Sequence, residues 1–155
     1  MAKVISAGLI LTDGTKFLAC HSTHNWFFDL PKGTVEFMES PKDACIREVR
    51  EETGMKVNGN SLIDLGEHQY NDYKTLHLFV QLREDLPSVE TLKCNAFSFN
   101  QEKKSYFPEA DGFRYIDVEE IDNCFTENMC RALREAFEKI KNVYRENTSP
   151  QTIMV

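Results

Sequence analysis

Residues 40 to 54 restrict the fold of this chain more than any other stretch. They read Ser40-Pro41-Lys42-Asp43-Ala44-Cys45-Ile46-Arg47-Glu48-Val49-Arg50-Glu51-Glu52-Thr53-Gly54. Ser40 suits a helix N-cap, Pro41 the first helical position, Asp43 the third residue after the cap, and Gly54 a left-handed closing residue. The spacing therefore predicts a helix over Pro41 to Thr53. At 100° per residue, Cys45, Ile46, Val49 and Thr53 gather on a face that can pack on a sheet, while Glu48, Glu51 and Glu52 project together from a neighbouring face. On a bare helix this is unfavourable. Like charges three and four residues apart repel, and carboxylates in a last turn oppose the helix dipole at roughly 0.3–1 kcal/mol each. Arg47 and Arg50 offset only part of the repulsion. A convergent set of oxygen donors is what a hard cation such as Mg2+ or Mn2+ requires; the competing reading is a solvated acidic face.

The flanking segments supply a sheet for this helix. Val4 to Leu11 is apolar, Asp13-Gly14 makes a turn and Phe17 to His21 returns, which predicts a hairpin. Trp26 to Leu30 follows a polar stretch, and Pro31-Lys32-Gly33 changes the chain direction. Ser61 to Glu67 and Lys74 to Leu82 read as strands, the second with Leu76, Leu78, Val80 and Leu82 in alternation. Residues 83 to 112 are expected to be an irregular, functional loop, because they are polar and longer than most connections. Phe113 to Asp117 is a last short strand. Glu127 to Asn147 is an amphipathic helix whose stripe of Met129, Leu133, Phe137, Ile140 and Tyr144 covers the sheet.

At 155 residues the chain is expected to be a single domain, 1–155, with one core and no tail. No apolar run reaches the roughly 20 residues that span a bilayer. The N-terminus, Met1 to Gly8, lacks the regions of a signal peptide, so a cytoplasmic protein with no membrane partner is expected. The five cysteines, Cys20, Cys45, Cys94, Cys124 and Cys130, show no C-x-x-C pair and are read as reduced, mostly buried thiols. A net charge of −7 disfavours non-specific adhesion to nucleic acid.

Spacing weighs against the solvated face. Gly33, five residues, Glu39, seven residues, Arg47-Glu48-Val49, one residue, Glu51-Glu52, one residue, Gly54-Met55 resembles the Nudix box at every specified position. Chance agreement is on the order of one in a billion per starting point. The hairpin before the box, the turn Asp29-Leu30-Pro31-Lys32-Gly33 and the final helix are also similar to a Nudix domain. The fold implied by the resemblance is α/β, an α/β/α sandwich with a mixed central sheet. The activity implied is metal-dependent hydrolysis of a nucleoside diphosphate linked to another group. By the same resemblance Glu48, Glu51 and Glu52 hold Mg2+ or Mn2+, with the Gly33 carbonyl as a further ligand, and Arg47 orients the carboxylates. Glu39 is a supporting residue. The general base comes either from the helix, with Glu51 and Glu52 as its catalytic glutamates, or from a later loop, where Glu109 is the candidate and Glu102 a weaker one.

Lys32 adjoins the box and is the favoured phosphate contact, ahead of Lys74, Lys103, Lys104 and Arg114. Trp26, Tyr70, Tyr73 and Tyr106 are suited to stack on a base, although aromatics beside strands are more often core residues. His21, His24, His68 and His77 lack metal-ligand spacing. The substrate class expected from the similarity to small bacterial and phage Nudix proteins is a dinucleoside polyphosphate or related nucleotide. The alternatives are the 5′ end of RNA, by pyrophosphate or cap removal, and ADP-ribose or a nucleotide sugar. For ADP-ribose, a proline some fifteen residues after the box is absent. A binding module without turnover is disfavoured by the intact box carboxylates. Family analogy suggests a homodimer.

Overall fold

Val4–Thr12 forms β1, a strand with apolar residues on both faces: Ala7, Leu9 and Leu11 pack to one side and Ile10 to the other. Such a strand needs a covering layer on each side. The computed structural model describes residues 3–147 and supplies both layers. The helix α1 (Pro41–Thr53) lies over Ala7, Leu9, Leu11, Leu18 and Phe79. After the one-turn α2 (Ile121–Cys124), the long helix α3 (Glu127–Asn147) buries Met129, Leu133, Phe137 and Ile140 against Ile10, Phe17, Leu76, Leu78 and Val80 on the other face. The result is the expected α/β/α sandwich. The sheet divides the apolar interior into two main layers, so the expected single core is in fact two faces of one sheet.

Strand pairing is mixed, as expected. β1 runs parallel to β6 (Lys74–Leu82) over its whole length, and β5 (Ile63–Gln69) pairs antiparallel with β6. On the other side, β2 (Lys16–Ser22) returns from β1 through a turn in which Gly14 takes φ 103° and Asp13 Oδ1 accepts from the Thr15 and Lys16 N–H groups. These bonds hold the Asp13 carboxyl below its usual range. β1 and β2 are in register only at Thr12 and Phe17, and then splay apart. Into the opening β4 (Lys32–Thr34) pairs antiparallel with Ser6 to Gly8, while β3 (Phe28–Asp29) stays with Cys20 and His21 of β2. β9 (Ala110–Asp117) closes the far side of β2. The splay between β1 and β2 is what leaves room for a cavity inside a sheet protein.

Both long helices span the ranges expected, α1 from its caps and α3 from its apolar stripe. Ser40 Oγ accepts the Asp43 N–H at 3.1 Å, and Gly54 closes α1 at φ 81° with its N–H on the Arg50 carbonyl. Two strand expectations need correction. The strand expected from Ser61 starts at Ile63, because Asn58 caps a 3-10 turn over Gly59–Ser61 by accepting the Asn60 N–H. Residues 83 to 112 are not wholly irregular. They contain a separate hairpin of β7 (Phe97–Asn100) and β8 (Ser105–Pro108), and β9 begins at Ala110 rather than Phe113. This hairpin turns Phe97, Phe99 and Tyr106 to solvent, so it lacks the apolar-inward pattern by which strands are recognised. All five cysteines are free and buried, as expected. Among the described residues no helix is long and apolar enough to cross a membrane. Met1, Ala2 and the residues after 147, on which the expectations about a leader and a tail partly rest, lie outside the described residues.

Candidate active site

The side chain with the most contacts around the acidic helix is Arg47, three-quarters buried. Its Nε and Nη2 donate to the two oxygens of Glu39 at 2.8 and 3.0 Å, Nη1 donates to Glu48 Oε1 at 2.8 Å, and Nη2 also donates to the Thr34 carbonyl at 3.0 Å. Nη1 lies 3.4 Å from Glu51 Oε2. The hydrogen bond to Glu39 is the main reason the guanidinium proton is held more tightly than usual, and the same bond holds the Glu39 carboxyl below its usual range. Glu39 therefore anchors the arginine, and the arginine aligns Glu48 and Glu51. A lysine offers a point charge in place of this planar fork. Arg47→Lys is expected to keep the helix while weakening Mn2+ binding about 10–100-fold, the usual effect of losing a group that orients metal ligands. A Mn2+ titration followed by electron paramagnetic resonance, with circular dichroism as the folding control, measures this.

Glu48 projects from α1 onto β4, where it lies against the Gly33 backbone; a Cβ at Gly33 would overlap the Glu48 carboxylate. Burial pushes the Glu48 carboxyl up, in spite of Arg47. Glu52 lies one turn further along, buried, with Oε2 accepting the Lys32 N–H at a long 3.4 Å. Burial raises its carboxyl to about 8, partly opposed by the Lys32 charge. An acid buried with so little compensation fits a site that takes up a cation. Among the described residues no group of three carboxylate, histidine or thiol side chains converges as a site for a metal ion.

The splay between β1 and β2 forms a cavity of about 460 Å³ lined by Ser6, Asp29, Lys32, Gly33, Glu52, Lys74, Ser98 and Glu109, among others. Five residues singled out in the sequence, Lys32, Gly33, Glu52, Lys74 and Glu109, thus come together from four separate segments. Glu109 sits between β8 and β9. Its N–H donates to the Ala96 carbonyl, its carbonyl accepts the Thr23 N–H, and Ser98 Oγ donates to its Oε1 at 3.0 Å. Glu51 does not line this cavity; it is half-exposed on the outer side of α1, beside Asn95. Lys103 and Lys104, at the exposed turn of the β7–β8 hairpin, and Arg114, whose guanidinium stacks on Phe28, are also outside it. Glu102 is on that same exposed turn. Of the aromatic candidates, Tyr70 is packed against the core, but Trp26, Tyr73 and Tyr106 are exposed, which corrects the expectation of core placement. The four histidines are accounted for by packing: His21 pairs with Asp111, His77 with Asp64, His24 meets the Phe107 ring edge, and His68 is buried beside Lys139.

Sequence reasoning passed over Ser6, Asp29 and Ser98. The available signal was slight: a serine inside the apolar run of β1, and an aspartate three residues before Lys32, to which it forms an ion pair at 3.2 Å.

Comparison with known proteins decides the family. The sequence profile of the NUDIX domain matches residues 2–138. The chain belongs to the Nudix family. A MutT-like protein of Streptomyces ambofaciens is 36% identical over 56 residues, and the match spans 36% of this chain and 36% of that protein. The NUDIX domain of Shewanella oneidensis NrtR, solved with ADP ribose, superposes with a TM-score of 0.66 at 12% identity over 90% of each chain. A C. elegans Ap4A hydrolase superposes at 0.60 with 17% identity, over 88% of this chain and 98% of that one. At such identities these two structures establish the fold alone. The Nudix fold accounts for how α1 is aimed: the box helix is packed by its Ala44, Cys45 and Val49 face, and its acidic face is left to meet β4 and the cavity.

Proposed function

We propose that this Nudix protein is a divalent-metal-dependent pyrophosphohydrolase acting on a nucleoside diphosphate linked to another group, with a dinucleoside polyphosphate or related nucleotide as the leading substrate class. The observation that carries the reading is that Glu52, Lys32, Gly33 and Glu109, from three places in the chain, open on one cavity. Glu48, Glu51 and Glu52 would hold Mg2+ or Mn2+, with the Gly33 carbonyl as a further donor. When bound, the metal would neutralise charge on the diphosphate and make a water acidic enough to be deprotonated near neutral pH. Lys32, held by Asp29 with its side chain only 15% exposed, is the phosphate contact. Arg47 keeps Glu48 and Glu51 aligned. Glu109 is the general base. Its carboxylate is steadied by Ser98 and its backbone is pinned on both sides, so it is held ready to accept the proton of the attacking water.

The test is release of phosphate and pyrophosphate from a panel of nucleotides, dinucleoside polyphosphates, ADP-ribose, nucleotide sugars and 5′-triphosphate RNA, with Mg2+ and with Mn2+. Turnover of dinucleoside polyphosphates is expected. No turnover of any of them would sink the enzyme reading, and a preference for RNA would move the site to RNA 5′ ends. Glu109→Gln is expected to lower kcat about 10²–10⁴-fold with little change in KM. An undiminished rate would return the base to the helix.

A further inference from the structure

Lys74 is anomalous in its own strand. It has the parity of Leu76, Leu78 and Val80, which point into the core beneath α3, yet it carries a charge. Its side chain lines the cavity that also holds Lys32. Asp29 pairs with Lys32, and among the described residues Lys74 has no carboxylate within ion-pair distance; its ammonium lies over the Tyr70 ring at 5.3 Å. Lys32 is thus offset by Asp29 and by Glu52, whereas Lys74 draws on Asp29 only from beyond ion-pair distance. Ser6 of β1 adds an independent observation. It is 1% exposed, it lines the same cavity, and its Oγ has no hydrogen-bond partner among the described residues. A buried hydroxyl left without a partner is destabilising, so a site that retains one commonly uses it.

We infer that Ser6, Lys74 and Lys32 form an anion subsite within the cavity, which holds a phosphoryl group of the portion of the substrate beyond the bond that is cut. Ser6 Oγ and the two ammonium groups donate, and the phosphoryl oxygens accept. Burial and the Lys32 charge bring the Lys74 ammonium down to about 8, which leaves it mostly protonated at neutral pH, and a bound anion relieves both effects. The inference rests on the proposed function and narrows it: substrates with a phosphoryl group beyond the cleaved diphosphate, such as dinucleoside tetraphosphates, are favoured over those that end in a neutral sugar.

The experiment separates this inference from the hydrolase reading. Inorganic phosphate is titrated into the metal-chelated full chain by calorimetry, and the kcat/KM ratio of a dinucleoside tetraphosphate to ADP-ribose is measured with Mg2+. Saturable phosphate binding is expected, weakened about tenfold in Lys74→Met and several-fold in Ser6→Ala, and largely restored in Lys74→Arg. The substrate ratio should fall about tenfold in Lys74→Met. Thermal melts identify any variant that fails to fold, and in that case Lys74→Gln and Ser6→Gly replace it. Wild type that does not bind phosphate, or binding that is equal in all variants, overturns the subsite even if turnover is normal. Phosphate binding that is lost with Lys74, in a protein that turns over no substrate, leaves the subsite standing and removes the hydrolase reading.

Discussion

Glu52→Gln is expected to lower turnover by at least about 10²-fold and, at the same time, to make the metal-free protein more stable at alkaline pH. Burial raises the Glu52 carboxyl from 4.5 to about 8. A folded-state value above the unfolded one means that the folded protein binds the proton more tightly. Its contribution to stability is complete below pH 4.5 and is lost as pH rises through about 8. At ~1.4 kcal/mol per unit the contribution has an upper limit of about 5 kcal/mol, and a realistic figure is about 2–4 kcal/mol, since water penetrating the cavity screens the charge. Glutamine keeps the acceptor for the Lys32 N–H but never ionises. In chelator, wild type should therefore lose stability between pH 5 and pH 8.5 relative to the variant. Mg2+ or Mn2+ should restore wild type and leave the variant unchanged. Urea melts of both proteins at the two pH values, with and without metal, measure these stabilities. Parallel pH dependence of the two proteins would show that Glu52 titrates normally and would remove the argument that its buried charge awaits a cation.

Gly33→Ala is expected to separate folding from function. The three atoms nearest to an alanine Cβ there all belong to the Glu48 carboxylate, which it would overlap. That carboxylate is the end of a flexible side chain, so it moves aside and β4 stays paired with Ala7 of β1. The stability cost is that of a weakened contact between Glu48 and Arg47, about 1–2 kcal/mol. Metal affinity and turnover should fall far more, about 10²-fold, because one carboxylate has left the place in which Arg47 aligns it. Calorimetric Mn2+ titration beside a thermal melt checks both sides. A variant that unfolds, or one that binds Mn2+ as wild type does, would show that the glycine serves β4 rather than Glu48.

How much of this was legible in the sequence depends on the range of the interactions involved. α1 and α3 could be read residue by residue, because Ser40, Pro41 and Gly54 act on the helix that they bound, and because the apolar stripe of α3 repeats with the helix period. The β7–β8 hairpin was missed because its aromatic side chains face water, where periodicity carries no signal of burial. Trp26, Tyr73 and Tyr106 were misplaced for the same reason: aromatic character alone does not say which way a side chain points.

The acidic cluster was legible because its chemistry lies within two helical turns, and Arg47 stood out beside it. What surrounds the cluster was not. Gly33 meets Glu48 through the packing of α1 on β4, Ser98 reaches Glu109 through the hairpin, and Ser6 and Lys74 share a cavity because β1 and β2 diverge while β1 and β6 run parallel. The sequence by itself determined the two long helices, the caps of α1 and the clustering of its carboxylates, since each depends on neighbours a few residues away. Only the tertiary structure decided which side chains face those carboxylates across the cavity. That depends on strand register and splay, which arise from contacts between residues far apart in the chain and leave no periodic trace along it.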